Sequence, residues 1–266
     1  MTAIQGRVVL ITGASSGIGA ATAKAIARRG GQVLLLARTQ TALETVAAEI
    51  TAHGGTARVY PVDLTDLTAA TQVAHLIQTE VGTPDILINN AGAGRWLFVE
   101  ETPPAEAVHM MAVPYFAAFV MTHVFLPAMR QRRRGQIINV TSTASYTAWP
   151  GATGYIAARW ALRGFTEALR ADLHGSGIGV TLVTAGKVRS PYWVHNPGAE
   201  ERIPSLARWY PTLTPEQVAA AIVQGIERPR PEIVLPAAMR FSLLVYRVWP
   251  QPFRWLLRQT GWRQRS

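Results

Sequence analysis

Cysteine is absent from this chain of 266 residues. Its absence excludes a disulfide scaffold, a thiol nucleophile, an iron–sulfur cluster and Cys-ligated zinc, and it fits a reducing compartment. The six histidines are scattered without a His-Glu-x-x-His spacing, so no metal centre is expected. Charged residues make up only 16% against 48% hydrophobic, a balance that excludes a disordered chain. The 22 glycines and 17 prolines follow no triplet period, which excludes collagen-like and low-complexity classes. No uninterrupted apolar run approaches the length that crosses a bilayer, so no spanning segment is expected. A strand pattern starts directly after Gly6, so no signal peptide is expected either.

Lysine is nearly missing as well. Lys24 and Lys187 are the two present, and arginine supplies the rest of a net charge of +10. The charge is uneven: residues 237–266 carry six arginines and no acid. Such a segment suits an anionic partner, but no zinc-finger or basic-zipper module accompanies it, and nucleic acid is not expected.

Strand-like and helix-like patterns alternate along the chain. Apolar runs at 7–12, 33–37, 56–61, 85–89, 136–140, 179–184 and 233–235 read as strands. Helical patterns occupy 17–29, 40–52, 67–81, 105–131, 155–173 and 215–227. The strands are continuously apolar rather than alternating, as expected when helices cover both sheet faces. The order implies an α/β fold of one doubly wound, mostly parallel sheet within residues 1–236. Residues 190–213 form an irregular loop rich in Pro, aromatics and charge, placed where substrate loops occur.

Between the first strand and first helix lies Thr12-Gly13-Ala14-Ser15-Ser16-Gly17-Ile18-Gly19. Glycine there permits positive φ and close backbone approach. The helix N-terminus beyond it offers unpaired N–H groups to a pyrophosphate. With this turn, Asp63 after the third strand, Asn89-Asn90-Ala91-Gly92 after the fourth, Ser142 after the fifth and Tyr155 thirteen residues later, the chain resembles the short-chain dehydrogenases/reductases over about residues 5–235. The resemblance implies a single-domain Rossmann fold of seven parallel strands and NAD(P)-dependent hydride transfer. It also implies homodimers or homotetramers built on the long helices after strands four and five. It places cofactor contacts at Gly13, Ser15, Ser16, Gly17, Ile18, Gly19, Arg38, Asp63, Leu64, Asn90, Ala91, Gly92, Gly186 and Val188, besides Tyr155 and Arg159.

Ala37 stands where family members using NAD carry an acid, and Arg38 follows it. Arginine pairs with a 2′-phosphate, so NADP(H) rather than NAD is expected. Reducing a carbonyl needs a proton donor, and a phenol can serve when a nearby cation stabilises its phenolate. The family pattern makes Tyr155 that phenol and Ser142 a hydrogen-bond donor to the carbonyl oxygen. The family's lysine four residues after the tyrosine is Arg159 here. One helical turn still places it on the same face, but a guanidinium cannot relay a proton as an ammonium can. The family's assisting asparagine falls on Pro114, which kinks a helix and frees the carbonyl of Met110. The family's Pro-Gly after strand six reads Ala185-Gly186. Two readings follow: an NADP(H)-dependent oxidoreductase, or a catalytically impaired NADP(H)-binding regulatory or structural protein.

Arg95, Trp96, Phe98, Trp149, Tyr192, Trp193, Trp209 and Tyr210 are candidate pocket residues. As a pocket they suit a bulky apolar carbonyl or alcohol (steroid-like, terpenoid or fatty-acyl); as core or subunit contacts they carry no substrate information. In the tail, Arg240, Arg247 and Arg254 recur among Phe241, Leu244, Trp249, Phe253, Trp255 and Leu257, and Pro250 and Pro252 split it into two short helices. It lies either in a membrane interface or over its own domain or a partner subunit, covering the substrate mouth. The expected location is the cytoplasm, or a membrane surface reached through the tail. Arg130 and Arg132–Arg134 read as a solvated helix end. The sequon at Asn139 falls in a buried strand.

Overall fold

Runs rich in Val, Ile and Leu form strands, and in a computed structural model that describes residues 3–262 there are seven of them. They are β1 Val8–Thr12, β2 Gln32–Ala37, β3 Thr56–Pro61, β4 Ile86–Asn89, β5 Gly135–Ser142, β6 Ile178–Ala185 and β7 Glu232–Leu235. All pair in parallel, in the order β3-β2-β1-β4-β5-β6-β7. The order reverses between β1 and β4, and ligands bind outside the carboxyl ends of strands at such a switch point.

Alternate strand residues feed two separate cores. On one face Val9, Ile11, Val33 and Leu35 pack against α1 (Gly17–Ala27), α2 (Gln40–Ala52) and α8 (Pro215–Glu227). On the other, Leu10, Leu34, Leu87 and Ile137 pack against α3 (Leu67–Glu80) and α5 (Ala117–Gln131), with Leu169 of α6 (Thr153–Asp172). Burial on both faces explains the continuous apolar runs.

The helix expected over 105–131 is α4 (Pro104–Met111) joined to α5 by one wide turn at Ala112–Phe116. Pro114 sits in that turn. It has no N–H for the Met110 carbonyl and its ring would collide with it. The turn therefore opens to i→i+5 bonding, the Ala117 N–H donating to the Ala112 carbonyl. Residues 104–131 are long and apolar enough to cross a membrane by length and composition, although charged and polar residues interrupt the run; half of their most apolar 18-residue window is buried in the protein.

A buried polar chain orients α6. Asn89 Nδ2 donates to Asn139 Oδ1 (2.8 Å), Asn139 Nδ2 to Thr166 Oγ1 (2.8 Å), and Thr166 Oγ1 to the Leu162 carbonyl (2.7 Å). Asn139 is fully buried within β5. The arginines at and after the end of α5 are not merely solvated. Arg132 donates to the carbonyls of Thr83 and Pro84, Arg130 to that of Asp172 and Arg133 to that of Gly175. Carbonyls at loop ends need donors, and these guanidiniums supply them.

The loop at 190–213 holds a short helix α7 (Tyr192–His195) and a 3-10 turn Ser205–Trp209. The tail forms α9 (Ala238–Val248) and α10 (Pro250–Thr260), divided at Pro250, which starts α10 where its missing N–H costs nothing. Arg263 and Arg265 lie outside the described residues.

Candidate active site

The glycine-rich turn is shaped by what surrounds it. Gly13 and Gly17 have φ of 66° and 53°, and a Cβ on Gly13 would stand 2.9 Å from the Ala91 Cα. Thr12 Oγ1 accepts from the N–H groups of Asn90 and Ala91 (3.0 Å each), while Asn90 Nδ2 donates to the carbonyls of Thr12 (2.9 Å) and Gly13 (3.3 Å). The turns after β1 and β4 are thus tied together. Ser16 caps α1 without using its side chain, so the hydroxyl and the first-turn N–H groups remain for an anion.

A cavity of about 880 Å³ opens at this end of the sheet. Gly13, Ser15, Ser16, Gly17, Ile18, Arg38, Asp63, Leu64, Asn90, Ala91, Gly92, Gly186 and Val188 line it, together with Ser142, Tyr155 and Arg159. Gly19 does not line it. A Cβ at Gly19 would meet the Gly13 carbonyl at 2.1 Å, so this glycine serves the packing of helix on turn. Asp63 Oδ1 accepts from the Thr65 N–H (3.0 Å) and hydroxyl (2.8 Å). The Thr65 backbone bond, helped by its hydroxyl and by Arg38 and His109, holds the Asp63 carboxyl below the usual range. Thr65 and His109 also line the cavity. The Asx-turn spacing from Asp63 to Thr65 was legible in the sequence; His109 carried no such signal.

Arg159 is the least ordinary group in the site. It is only 7% exposed, yet no carboxylate pairs with it among the described residues. Its Nε is buried without an acceptor. Its Cζ stands 4.8 Å from the centroid of the Tyr155 ring, and its guanidinium lies so close to Gly92 that a Cβ there would stand 2.6 Å from Nη2. A buried cation without a protein anion is costly, and its exposure to the cavity leaves a ligand to complete it. Ser142 Oγ, from the end of β5, accepts from the Ala144 N–H at 3.3 Å.

Next to Tyr155 the cavity wall is aromatic. Trp96 lies 5.5 Å from the Tyr155 ring, 5.3 Å from Trp149 and 5.9 Å from Trp193, centroid to centroid. The indole N–H groups of Trp96 and Trp149 are buried without a protein acceptor. The Tyr192 hydroxyl donates to the Gly94 carbonyl at 2.6 Å. Burial, reinforced by Tyr155, raises the pKa of that hydroxyl, so it remains a donor.

Among the candidate pocket residues, Trp96, Trp149, Tyr192, Trp193 and Tyr210 line the cavity; Arg95, Phe98 and Trp209 do not. Arg95 is an exposed partner of Glu106. Phe98 packs against Trp262 in a tilted pair with centroids 5.6 Å apart, and Trp209 is 87% exposed. Of the tail residues singled out in the sequence, Phe241, Phe253 and Leu257 line the cavity; Met239, Leu243, Val245 and Leu256 line it as well and were missed. The tail therefore packs over its own domain. Among the described residues no cluster of three or more His, Asp or Glu could hold a metal.

Comparison with known proteins follows the same lines. The family model for short chain dehydrogenase matches residues 7–200. An uncharacterized oxidoreductase of Mycobacterium bovis is 41% identical over 234 residues, which are 86% of this chain and 66% of that protein. The chain thus spans just under two thirds of that relative. The fatty acyl-CoA reductase of Acinetobacter baylyi is 36% identical over 249 residues, 93% of this chain and 81% of that one. Among solved structures, a short-chain dehydrogenase from Sphingobium yanoikuyae in complex with NADPH superposes with a TM-score of 0.80 at 25% identity, covering 98% and 100% of the two chains. A metagenomic short-chain oxidoreductase in complex with NADP gives 0.75 at 29% identity, covering 88% and 98%.

Proposed function

This chain belongs to the short chain dehydrogenase family, and from that premise we propose that it is an NADP(H)-dependent oxidoreductase acting on the carbonyl or secondary alcohol of a bulky apolar substrate. One observation carries the reading: a buried, unpaired Arg159 lies beside Tyr155, in one cavity with Ser142, the glycine turn and Arg38.

The residues fit a nicotinamide dinucleotide. Gly13, Gly17, Ser15 and Ser16 would receive the pyrophosphate at the start of α1, and Arg38 a 2′-phosphate. Asp63 and Leu64 would flank the adenine, and Asn90 the adenosine ribose; Gly186 and Val188 would lie along the nicotinamide. When bound, the dinucleotide supplies or accepts the hydride at the substrate carbon. Tyr155 gives its hydroxyl proton to the carbonyl oxygen in reduction and takes it back in oxidation. Ser142 Oγ hydrogen-bonds that oxygen. Arg159 stabilises the phenolate left on Tyr155. A guanidinium keeps its own proton, so Tyr155 is reprotonated from water or another group in the cavity.

The aromatic wall and the tail's apolar inner faces support a long or bulky apolar substrate. The similarity to a fatty acyl-CoA reductase supports the fatty-acyl class among the three considered. Exposed Phe116, Phe119 and Trp160 on the wide turn, α5 and α6 support self-association through those helices, and the cytoplasm is the proposed site of action. Arg159 and Pro114 favour one rival reading, a protein that binds NADP(H) without turnover.

The test is NADPH oxidation with long-chain aldehydes, a fatty acyl thioester and steroid ketones. It is repeated with Arg159→Lys, alone and with Pro114→Asn. Turnover of an apolar carbonyl supports the proposal. NADPH binding without turnover across pH, rescued by the two reversions, establishes the rival.

A further inference from the structure

The tail helices have two useful faces. Inner residues of α9 and α10 roof the cavity. Their outer residues face away from it: Leu244, Val248, Trp249 and Trp255 are 57–63% exposed and do not line the cavity. On α9, Leu244 and Val248 are one turn apart on one face, and Arg240 and Arg247 border them on the same exposed side. On α10, Trp255 stands beside exposed Arg254 and Arg258. No carboxylate occurs in either helix, and none of these four arginines makes an ion pair among the described residues. The 3-10 turn that carries the exposed Trp209 is tied to α9 by the hydrogen bond between Tyr210 and Ser242.

We propose that the outer face of α9 and α10 docks on an anionic lipid bilayer, with the aromatics at headgroup depth and the arginines on lipid phosphates. Charge selects this partner. A second copy would bring the same basic face against it, and like charges would oppose the contact. Tryptophan and arginine on one exposed helical face match the bilayer interface in both polarity and sign. The docked helices would still roof the cavity with their inner residues, placing the apolar end of the site next to the acyl layer. The proposal stands without the catalytic reading, since lipid binding needs neither cofactor nor turnover.

The experiment is co-sedimentation of the full chain with vesicles of phosphatidylcholine alone and of phosphatidylcholine with phosphatidylglycerol, with tryptophan emission read in parallel. Binding to the anionic vesicles, weakened by salt, with a blue shift is expected. Arg240→Gln, Arg247→Gln and Arg258→Gln together are expected to weaken it about a hundredfold, at roughly fivefold per basic residue. Leu244→Glu, Trp249→Glu and Trp255→Glu together should remove the blue shift; none of these three lines the cavity. Arg58→Gln, on the opposite edge strand β3, should change nothing. No sedimentation with anionic vesicles, or equal sedimentation with neutral ones, overturns the proposal. So does binding to duplex DNA in place of vesicles, or light scattering in which the apolar triple variant merely separates copies of the chain. If either triple variant fails to melt cooperatively, the comparison of the two vesicle types with the unaltered chain decides alone.

Discussion

Gly92→Ala is a small change with a calculable consequence. The added Cβ would lie 2.6 Å from Arg159 Nη2, 2.9 Å from Nη1 and 3.2 Å from Cζ. Comfortable contacts of this kind lie at about 3.5–4.0 Å, so the guanidinium must retreat by about 1 Å. Its Cζ now stands 4.8 Å from the Tyr155 ring centroid. On that scale, at an effective dielectric of about 20, attraction to a phenolate is about 3.5 kcal/mol, and a retreat of about 1 Å removes about 0.6 kcal/mol, roughly threefold in rate. Misalignment adds to the loss of field, because a shift of about 1 Å at a reacting site can cost about a hundredfold. The kcat of NADPH-dependent reduction is therefore expected to fall between about threefold and a hundredfold, with the melting temperature little changed. In the Arg159→Lys background the planar nitrogens that meet the Cβ are gone, and Gly92→Ala should cost much less. A double-mutant cycle on kcat measures this coupling. An equal penalty in both backgrounds, or no penalty in either, refutes the idea that Gly92 is needed for the position of Arg159.

Other outcomes follow from the same structure. Arg38→Ala is expected to raise KM for NADPH by about 10- to 100-fold, at about 1.5–3 kcal/mol for a charge-assisted bond, and to leave KM for NADH nearly unchanged in initial-rate assays. The Arg202 side chain, donating to Glu101 at 2.6 and 3.0 Å, and the Phe98 N–H hold the Glu101 carboxyl at about 2 against an ordinary 4.5. This depressed value means the clamp on the 190–213 loop is fully present above pH 4.5 and is lost as pH falls toward 2. Limited proteolysis of that loop should accelerate across this window, and Glu101→Gln should abolish the pH dependence. Thr166→Val strands the buried Asn139 amide; a loss of about 1–3 kcal/mol in urea unfolding is expected. Phe119→Glu should reduce the molar mass seen by light scattering if α5 and α6 form the self-association surface.

Much of the fold was legible because strands and helices announce themselves locally. The run at 33–37 is apolar throughout, since helices cover both sides of the sheet, and its strand begins one residue earlier; the edge strand at 56–61, with Thr56 and Arg58, keeps the bounds read from the sequence. The glycine turn, Asp63, Ser142 and Tyr155 were legible as a spacing, and the fold brings them to one cavity at the switch point between β1 and β4. Pro114 announced a break in its helix but not its form, because whether a missing N–H ends a helix or widens one turn depends on the packing of the residues after it. Arg133 reads as one more cation in a basic run; only its φ of 49° and its reach to the Gly175 carbonyl make it part of a turn.

The sequence by itself determined the class of fold, the dinucleotide-type turn and the exchange of lysine for arginine at position 159, since these depend on residue type and on separations of a few residues. Tertiary structure alone decided that Arg159 has no carboxylate partner among the described residues, that Gly92 is its neighbour, and that the tail turns one face to the cavity and the other to solvent. Those are matters of contact between segments far apart in the chain, and no local periodicity encodes which distant side chain will be absent from a buried charge.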